Sequence, residues 1–131
     1  MPREYVSGTW EKNRSFSPAV ITSGGRIAWL AGVGAWKDER GDVIRGDFAA
    51  QVDATFREIG ETLAGFGGSL ADIVTMTVWI LDARHGDAFT EVRKRWFPDG
   101  RYPASALITA AGFARPEMMV EIQAVAVLGD K

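Results

Sequence analysis

Two stretches in the last third of the chain have side chains that alternate between two faces, as in β-strands. The second of these stretches constrains the fold most. From Met118 to Val127, apolar residues fall on one side of an extended chain, and Glu121 and Gln123 fall on the other. The first stretch runs from residue 105 to residue 110. A carboxylate inside so apolar a run needs a partner or a purpose, because burying an unpaired charge is costly.

The first half of the chain predicts a β-hairpin followed by a helix. Residues 23–25, Ser-Gly-Gly, separate apolar runs at 19–22 and 26–32, and paired glycines suit a tight turn because they accept positive φ. Asp47 is the predicted cap of a helix that ends at Gly67-Gly68. Its apolar residues recur every three or four positions and mark one helical face: Val52, Phe56, Ile59, Leu63 and Phe66.

The second half predicts a buried strand and a second helix. Residues 72–81 are mostly apolar and β-branched, as in a central strand covered on both faces. Residues 87–97 place Phe89, Val92 and Trp96 on one helical side. The order hairpin, helix, strand, helix, strand, strand predicts an α/β (α+β) fold with a mixed sheet and both helices on one face. The other face then needs cover, which predicts self-association.

Composition narrows the classes of function. A chain of 131 residues is expected to form one domain, residues 1–131. There are no cysteines, which excludes disulfides and a thiol nucleophile. The formal net charge of −2 disfavours nucleic acid as a partner. No apolar run has membrane-spanning length and the N-terminus lacks an apolar signal core, so no membrane partner and a cytoplasmic location are expected.

Short motifs recur in a characteristic order along nearly the whole chain. Phe16-Ser17-Pro18-Ala19 lies near the start, and Gly68-Ser69-Leu70-Ala71-Asp72 precedes the predicted central strand. Val78-Trp79-Ile80-Leu81-Asp82 ends that strand, Pro103-Ala104 opens the next, and Val120-Glu121-Ile122 lies in the last. Together they resemble the RidA (YjgF) family of reactive-intermediate deaminases, whose members are often labelled endoribonuclease L-PSP.

The resemblance implies a chorismate mutase-like fold and a homotrimer whose three sheets close into a barrel-like centre. It also implies small-molecule pockets at the subunit interfaces, where imines and enamines are hydrolysed to 2-oxo acids and ammonia. In such proteins an arginine in a Pro-Ala-Arg-Ser motif binds the substrate carboxylate, and a glutamate in the last strand helps to position water. Glu121 matches that glutamate and is the predicted catalytic residue. No cofactor and no metal are expected.

This chain departs from the family pattern at the arginine, where it has Ser105. A hydroxyl cannot provide the planar, charge-assisted recognition that a guanidinium provides, and losing it costs about 2–5 kcal/mol in a dry pocket. Weak or no activity on 2-imino acids is therefore expected. Arg93, in the predicted second helix, is the candidate replacement cation, with Arg101 and Arg115 as rivals.

The remaining predicted ligand-binding residues are Phe16, Gly32, Trp36 and Leu107, beside Arg93 and Ser105. Each has a structural alternative. Glu121 can be a paired carboxylate at a subunit seam, and Arg93 can belong to a solvated helix face. Ser105 can be a small strand residue satisfied locally, and the aromatic residues can be core or interface.

Two functions from different classes remain open. The first is a divergent Rid-type hydrolase acting on an imine, an enamine or a related labile nitrogen metabolite at subunit-interface pockets. The alternative is a non-catalytic homologue that binds a small metabolite in the same pockets, so whether the chain is an enzyme stays open. A ribonuclease is disfavoured because the chain is acidic and has a single histidine.

Overall fold

The computed structural model describes residues 3–129, which form two sheets and three α-helices. The strands are β1 (Arg3–Tyr5), β2 (Val20–Thr22), β3 (Arg26–Trp29), β4 (Ile73–Ile80), β5 (Ala104–Thr109) and β6 (Val120–Leu128). The helices are α1 (Thr9–Asn13), α2 (Phe48–Ala64) and α3 (Gly86–Trp96). None of the helices within residues 3–129 is long and apolar enough to cross a membrane.

The larger sheet is mixed, as predicted, with the strand order β3-β6-β4-β5. Strand β6 runs antiparallel to both β3 and β4, whereas β4 and β5 are parallel. A parallel pair needs a crossover connection, and α3 provides it. The predicted central strand is confirmed, because β4 lies between β6 and β5.

Both long helices cover one face of this sheet, which confirms the predicted layer order. On β6, the side chains of Val120, Ile122, Ala124 and Ala126 are buried in the same core as the apolar faces of α2 and α3. The Asp47 carboxylate caps α2 by accepting a hydrogen bond from the Ala50 N–H at 3.0 Å. That bond satisfies one of the donors that a helix start leaves free.

The predicted apolar face of α2 is correct except at its end. Val52, Phe56, Ile59 and Leu63 are buried, but Phe66 lies beyond the helix and is 41% exposed. The helix ends at Ala64, before the predicted Gly67-Gly68, because the Gly68 N–H donates back to the Leu63 carbonyl at 2.8 Å. This bond closes the helix before the apolar period can extend to Phe66.

The predicted hairpin is wrong, although the turn between its strands exists. Gly24 and Gly25 have φ values of 73° and 82°, as a tight glycine turn requires. Strand β2, however, pairs with β1, and β3 pairs with β6, so the two strands enter different sheets. The nine-residue strand β6 offers β3 a longer partner, and it brings Ala28 opposite Ala126 toward the core.

The face of the sheet that the helices leave uncovered carries exposed apolar side chains. Trp29 is 76% exposed, Ile27 53% and Ile108 45%. Paired residues share a face, and the register places Trp29 opposite Val125 and Ile108 opposite Trp79. We call this surface the open face; it is defined by Ile27, Trp29, Trp79, Ile108 and Val125.

Candidate functional site

A cavity of about 380 Å³ opens beside the edge strand β5, between α3 and the segment that contains α1. We call it the β5–α3 cavity. Its walls combine two aromatic rings, two guanidinium groups and two hydroxyl groups. The lining residues are Trp10, Arg14, Phe16, Thr90, Arg93, Ser105 and Leu107. Apolar walls with a few convergent polar groups are typical of small-molecule sites.

The most unusual group in this cavity is the guanidinium of Arg93, whose side chain is almost fully buried, with 1% exposed. Its Nε donates to Ser15 Oγ at 3.1 Å and its Nη1 donates to Ser105 Oγ at 2.7 Å. Its Nη2 donates to the Arg14 carbonyl at 3.2 Å. All three acceptors are neutral, and no carboxylate within residues 3–129 forms an ion pair with Arg93.

An uncompensated buried cation creates a strongly positive site. Burial and, to a smaller extent, the nearby charge of Arg14 lower the pKa of Arg93 to about 9, against an opposing effect of Tyr102. The guanidinium carbon lies 4.8 Å from the ring centre of Phe89 and 5.9 Å from that of Phe16, so ring faces supply part of the missing negative charge. The group remains protonated at neutral pH, and an anion in the cavity would stabilise it.

The local chain conformation explains how a helix arginine is held in this position. Ser15 is fully buried and has a φ of 63°, the left-handed conformation that residues other than glycine rarely adopt. Its hydroxyl donates to the Thr90 carbonyl on α3 at 2.9 Å and accepts from Arg93. The turn also directs the Arg14 carbonyl toward Arg93. Backbone strain of this kind, about 1–3 kcal/mol, concentrates at functional sites.

A second arginine lies at the rim of the cavity. The Arg14 side chain is 28% exposed, and its Nη1 lies 2.9 Å from the carboxylate of Asp87, whose side chain is 91% exposed. The Arg14 guanidinium carbon is 5.9 Å from the Trp10 ring centre. Trp10 in turn meets Phe16 edge to face at 5.7 Å between ring centres. Each of the two guanidinium groups therefore lies beside one of two aromatic rings that contact each other.

The structure brings four of the residues predicted from sequence to this cavity: Phe16, Arg93, Ser105 and Leu107. Their roles in binding remain predictions. The alternative that Arg93 belongs to a solvated helix face is wrong, because its side chain is buried. The rival cations lie elsewhere: Arg101 stacks on Tyr5, and Arg115 stacks on the ring of Trp36, each at 5.0 Å.

Trp36 and Gly32 do not line the cavity. Gly32 lies against Glu121, and a Cβ at this position would overlap the Glu121 carboxylate. Glycine therefore allows the backbone to pass beside that side chain. This close approach accounts for Gly32 without a direct contact to the β5–α3 cavity.

Glu121 and the cavity lie on opposite faces of the sheet within one chain. The register pairs Glu121 with Trp79, and Trp79 with Ile108, so these side chains point to the open face. Leu107 pairs with Val78, which pairs with Ile122, and this row points to the helices. A strand alternates its side chains, so Glu121 cannot enter the cavity of its own chain.

Trp10, Arg14 and Ser15 were not identified from the sequence. They belong to or follow α1, a helix of five residues that is too short to show a period. The available signal is the four-residue spacing of Trp10 and Arg14, which places them on one side of a helical turn. Within residues 3–129, no group of three histidine, aspartate or glutamate residues is placed to hold a metal ion.

The sheet order, the two covering helices and the cavity beside the edge strand define the chain as a small α+β protein. The family model described as endoribonuclease L-PSP matches residues 10–128. The chain therefore belongs to this family, which is also known as RidA/YjgF.

Individual relatives agree with this assignment. The chain is 31% identical over 129 residues to the 3-aminoacrylate deaminase RutC of Acinetobacter baylyi, which covers 96% of this chain and 98% of the relative. The Rid-family protein YyfB of Yersinia pestis has the same fold, with a TM-score of 0.85, 24% identity and coverage of 98% of this chain and 100% of the other. A YjgF-family protein of Neisseria meningitidis has a TM-score of 0.69 at 27% identity and covers 100% and 98% of the two chains.

Proposed function

We propose that this protein is a Rid-type hydrolase of a small enamine or imine that carries a carboxylate, and that the β5–α3 cavity binds the substrate. One observation carries the proposal: the buried Arg93 guanidinium has no carboxylate partner among residues 3–129 and donates to Ser105 Oγ at 2.7 Å. Ser105 occupies the position of the family's carboxylate-binding arginine. Arg93, a cation on α3, thus lies beside Ser105, the position on β5 where the family has its arginine.

The reaction would add water across a C=N bond. An enamine first takes a proton on carbon to become the iminium ion, and water then attacks the C=N carbon and loses a proton to give a carbinolamine. The C–N bond breaks as a proton moves to nitrogen, so that the products are a carbonyl compound and ammonia. A carboxylate beside the attacking water can accept its proton and return it to the leaving amine. Glu121 is the proposed carboxylate.

Glu121 can take this role only from a second copy of the chain, since it points away from its own cavity. We propose a trimer in which each open face is covered and each cavity receives Glu121 of a neighbouring copy. The exposed apolar side chains of Ile27, Trp29 and Ile108 support such burial. The carboxylate of Glu121 and the guanidinium of Arg93 would then flank one substrate from two chains.

The altered position of the cation changes the expected substrate. An arginine on α3 holds a carboxylate at a different place from an arginine on β5, so activity on 2-iminopropionate is expected to stay low. A substrate whose reacting carbon lies one atom further from its carboxylate fits the displaced cation better. The relative named 3-aminoacrylate deaminase is consistent with that choice, since its named substrate has this spacing.

The test is ammonia release above the buffer rate with 3-aminoacrylate and with 2-iminopropionate, each generated in situ. We expect turnover of the former, at least tenfold slower turnover of the latter, and loss of both in Glu121→Gln and Arg93→Met. Lys94→Gln, at an exposed cation of the same helix, should keep full activity. No acceleration by the unchanged protein with either substrate would refute the hydrolase proposal.

One observation favours the alternative, a protein that binds a small metabolite without turning it over. The lining of the cavity includes neither a carboxylate nor a histidine, so a single chain supplies a binding site without an acid–base group. This reading predicts carboxylate binding that depends on Arg93 and is unchanged in Glu121→Gln, with no ammonia release. The same two variants therefore separate the two functions.

A further inference from the structure

We infer that the β5–α3 cavity selects ligands with two anionic groups, because Arg14 is a second anion-binding group beside Arg93. This inference rests on the proposed function for the identity of the site and goes beyond it by specifying the charge of the ligand. The cavity lining contains two cations, Arg14 and Arg93, and no acid. One carboxylate would leave one of these two positive charges without a partner inside the cavity.

The two cations differ in how they are held. Arg93 is buried and held in place by three hydrogen bonds to neutral oxygen atoms, and it has no carboxylate partner within residues 3–129. A guanidinium has five N–H donors, so two of its N–H groups remain for a ligand. Arg14 is instead paired with Asp87, whose side chain is 91% exposed. Ion pairs of this exposed kind contribute about 0–1 kcal/mol, so a ligand anion can replace Asp87 at small cost.

The shape of the site also suits a ligand with two anionic ends. Arg14 stacks on Trp10, and Arg93 stacks on Phe16, at 5.9 Å in each case. The Trp10 and Phe16 rings contact each other edge to face. The two rings form an apolar wall with one guanidinium beside each ring, and the body of a short dicarboxylate can lie on this wall while each end meets a cation. Bidentate guanidinium–carboxylate pairs give both affinity and orientation.

Isothermal titration calorimetry with matched acids tests this inference at one low ionic strength, where charge effects are not screened. The probes are succinate, glutarate and adipate, each compared with the monocarboxylate of equal carbon number: butyrate, pentanoate and hexanoate. We expect at least one dicarboxylate to bind at least tenfold more tightly than its partner. In Arg14→Gln that ratio should fall to less than threefold, with the affinity for the monocarboxylate nearly unchanged.

Two further variants complete the experiment. Asp87→Asn removes the competing carboxylate, so it should raise the affinity for the dicarboxylate and leave that for the monocarboxylate within twofold. Lys94→Gln should leave both affinities unchanged, since this lysine pairs with Glu91 on the exposed surface. Equal affinities for the paired acids in the unchanged protein, or a preference that survives Arg14→Gln, would overturn the inference.

The outcome is independent of catalysis. If dicarboxylates bind with the expected preference and no enamine is turned over, the second anion site stands and the hydrolase proposal fails. If 3-aminoacrylate is turned over but paired acids bind equally, the hydrolase proposal stands and the second anion site is wrong.

Discussion

At the scale of single residues, the buried charge of Arg93 is the strongest argument for a ligand site. A charge buried without a counter-charge destabilises the fold, and three hydrogen bonds to neutral oxygen atoms compensate only in part. A ligand anion in the cavity would supply the counter-charge that these bonds do not. The guanidinium is therefore explained by the ligand that it is proposed to bind.

This argument makes a prediction about stability. Arg93→Met should change the free energy of unfolding by less than about 3 kcal/mol, because relief of a buried charge opposes the loss of its three hydrogen bonds. The same change should abolish carboxylate binding. Urea unfolding at fixed protein concentration measures the first effect, and calorimetry measures the second. Arg93→Lys, which keeps the charge, is the control. A loss above about 3 kcal/mol in Arg93→Met would mean that the residue serves the fold.

At the scale of elements, Gln51 joins three parts of the chain that lie far apart in sequence. It is fully buried on α2, and its Nε2 donates to the Ile44 carbonyl at 2.9 Å and to the Glu117 carbonyl at 2.7 Å. Its Oε1 accepts from the Met119 N–H at 2.8 Å. The side chain thus ties α2 to the loop before it and to the residues that lead into β6.

Gln51→Leu should cost about 3 kcal/mol of unfolding free energy, because it leaves three backbone groups without their partner while keeping the volume. Chemical denaturation measures this loss. Glu58→Leu, at an exposed position of the same helix, should change stability by less than about 0.5 kcal/mol. A Gln51→Leu variant as stable as the control would show that water replaces these bonds without cost.

The elements that sequence reasoning found are those with a local period. Helix α2 and strand β6 each contain enough residues for the spacing of apolar side chains to define a face. The pairing of β1 with β2 and the presence of α1 had no such signal, because these elements have three to five residues. The site divides in the same way: Ser105 and Leu107 belong to a recognisable motif, whereas Arg14 and Ser15 reach Arg93 only through the turn after α1.

At the scale of the whole molecule, the open face is the feature that a single chain leaves unexplained. Trp29 is 76% exposed and lies outside the core cluster, yet it shares the open face with the apolar side chains of Ile27 and Val125. Burying such a surface is favourable by about 25 cal/mol per Å² of apolar area. The proposed trimer would bury the open face of each of its three chains.

Trp29→Glu should therefore weaken self-association by at least tenfold without unfolding the chain. Sedimentation equilibrium measures the association, and far-ultraviolet circular dichroism measures the fold. Phe66→Glu, at an exposed aromatic residue outside the open face, is the matched control and should leave association unchanged. A stable lone subunit at micromolar concentration in the unchanged protein would contradict the proposed assembly.

Glu121 and Arg93 lie on opposite sides of one sheet, and this placement has a consequence for mixtures of variant chains. If each site needs Arg93 from one chain and Glu121 from a neighbouring chain, a mixture of two inactive variants can contain some active sites. Co-refolding Glu121→Gln chains with Arg93→Met chains should restore a fraction of the lost turnover, because some hybrid assemblies join an intact residue of each kind. Co-refolded mixtures that remain inactive would assign both residues to the same copy.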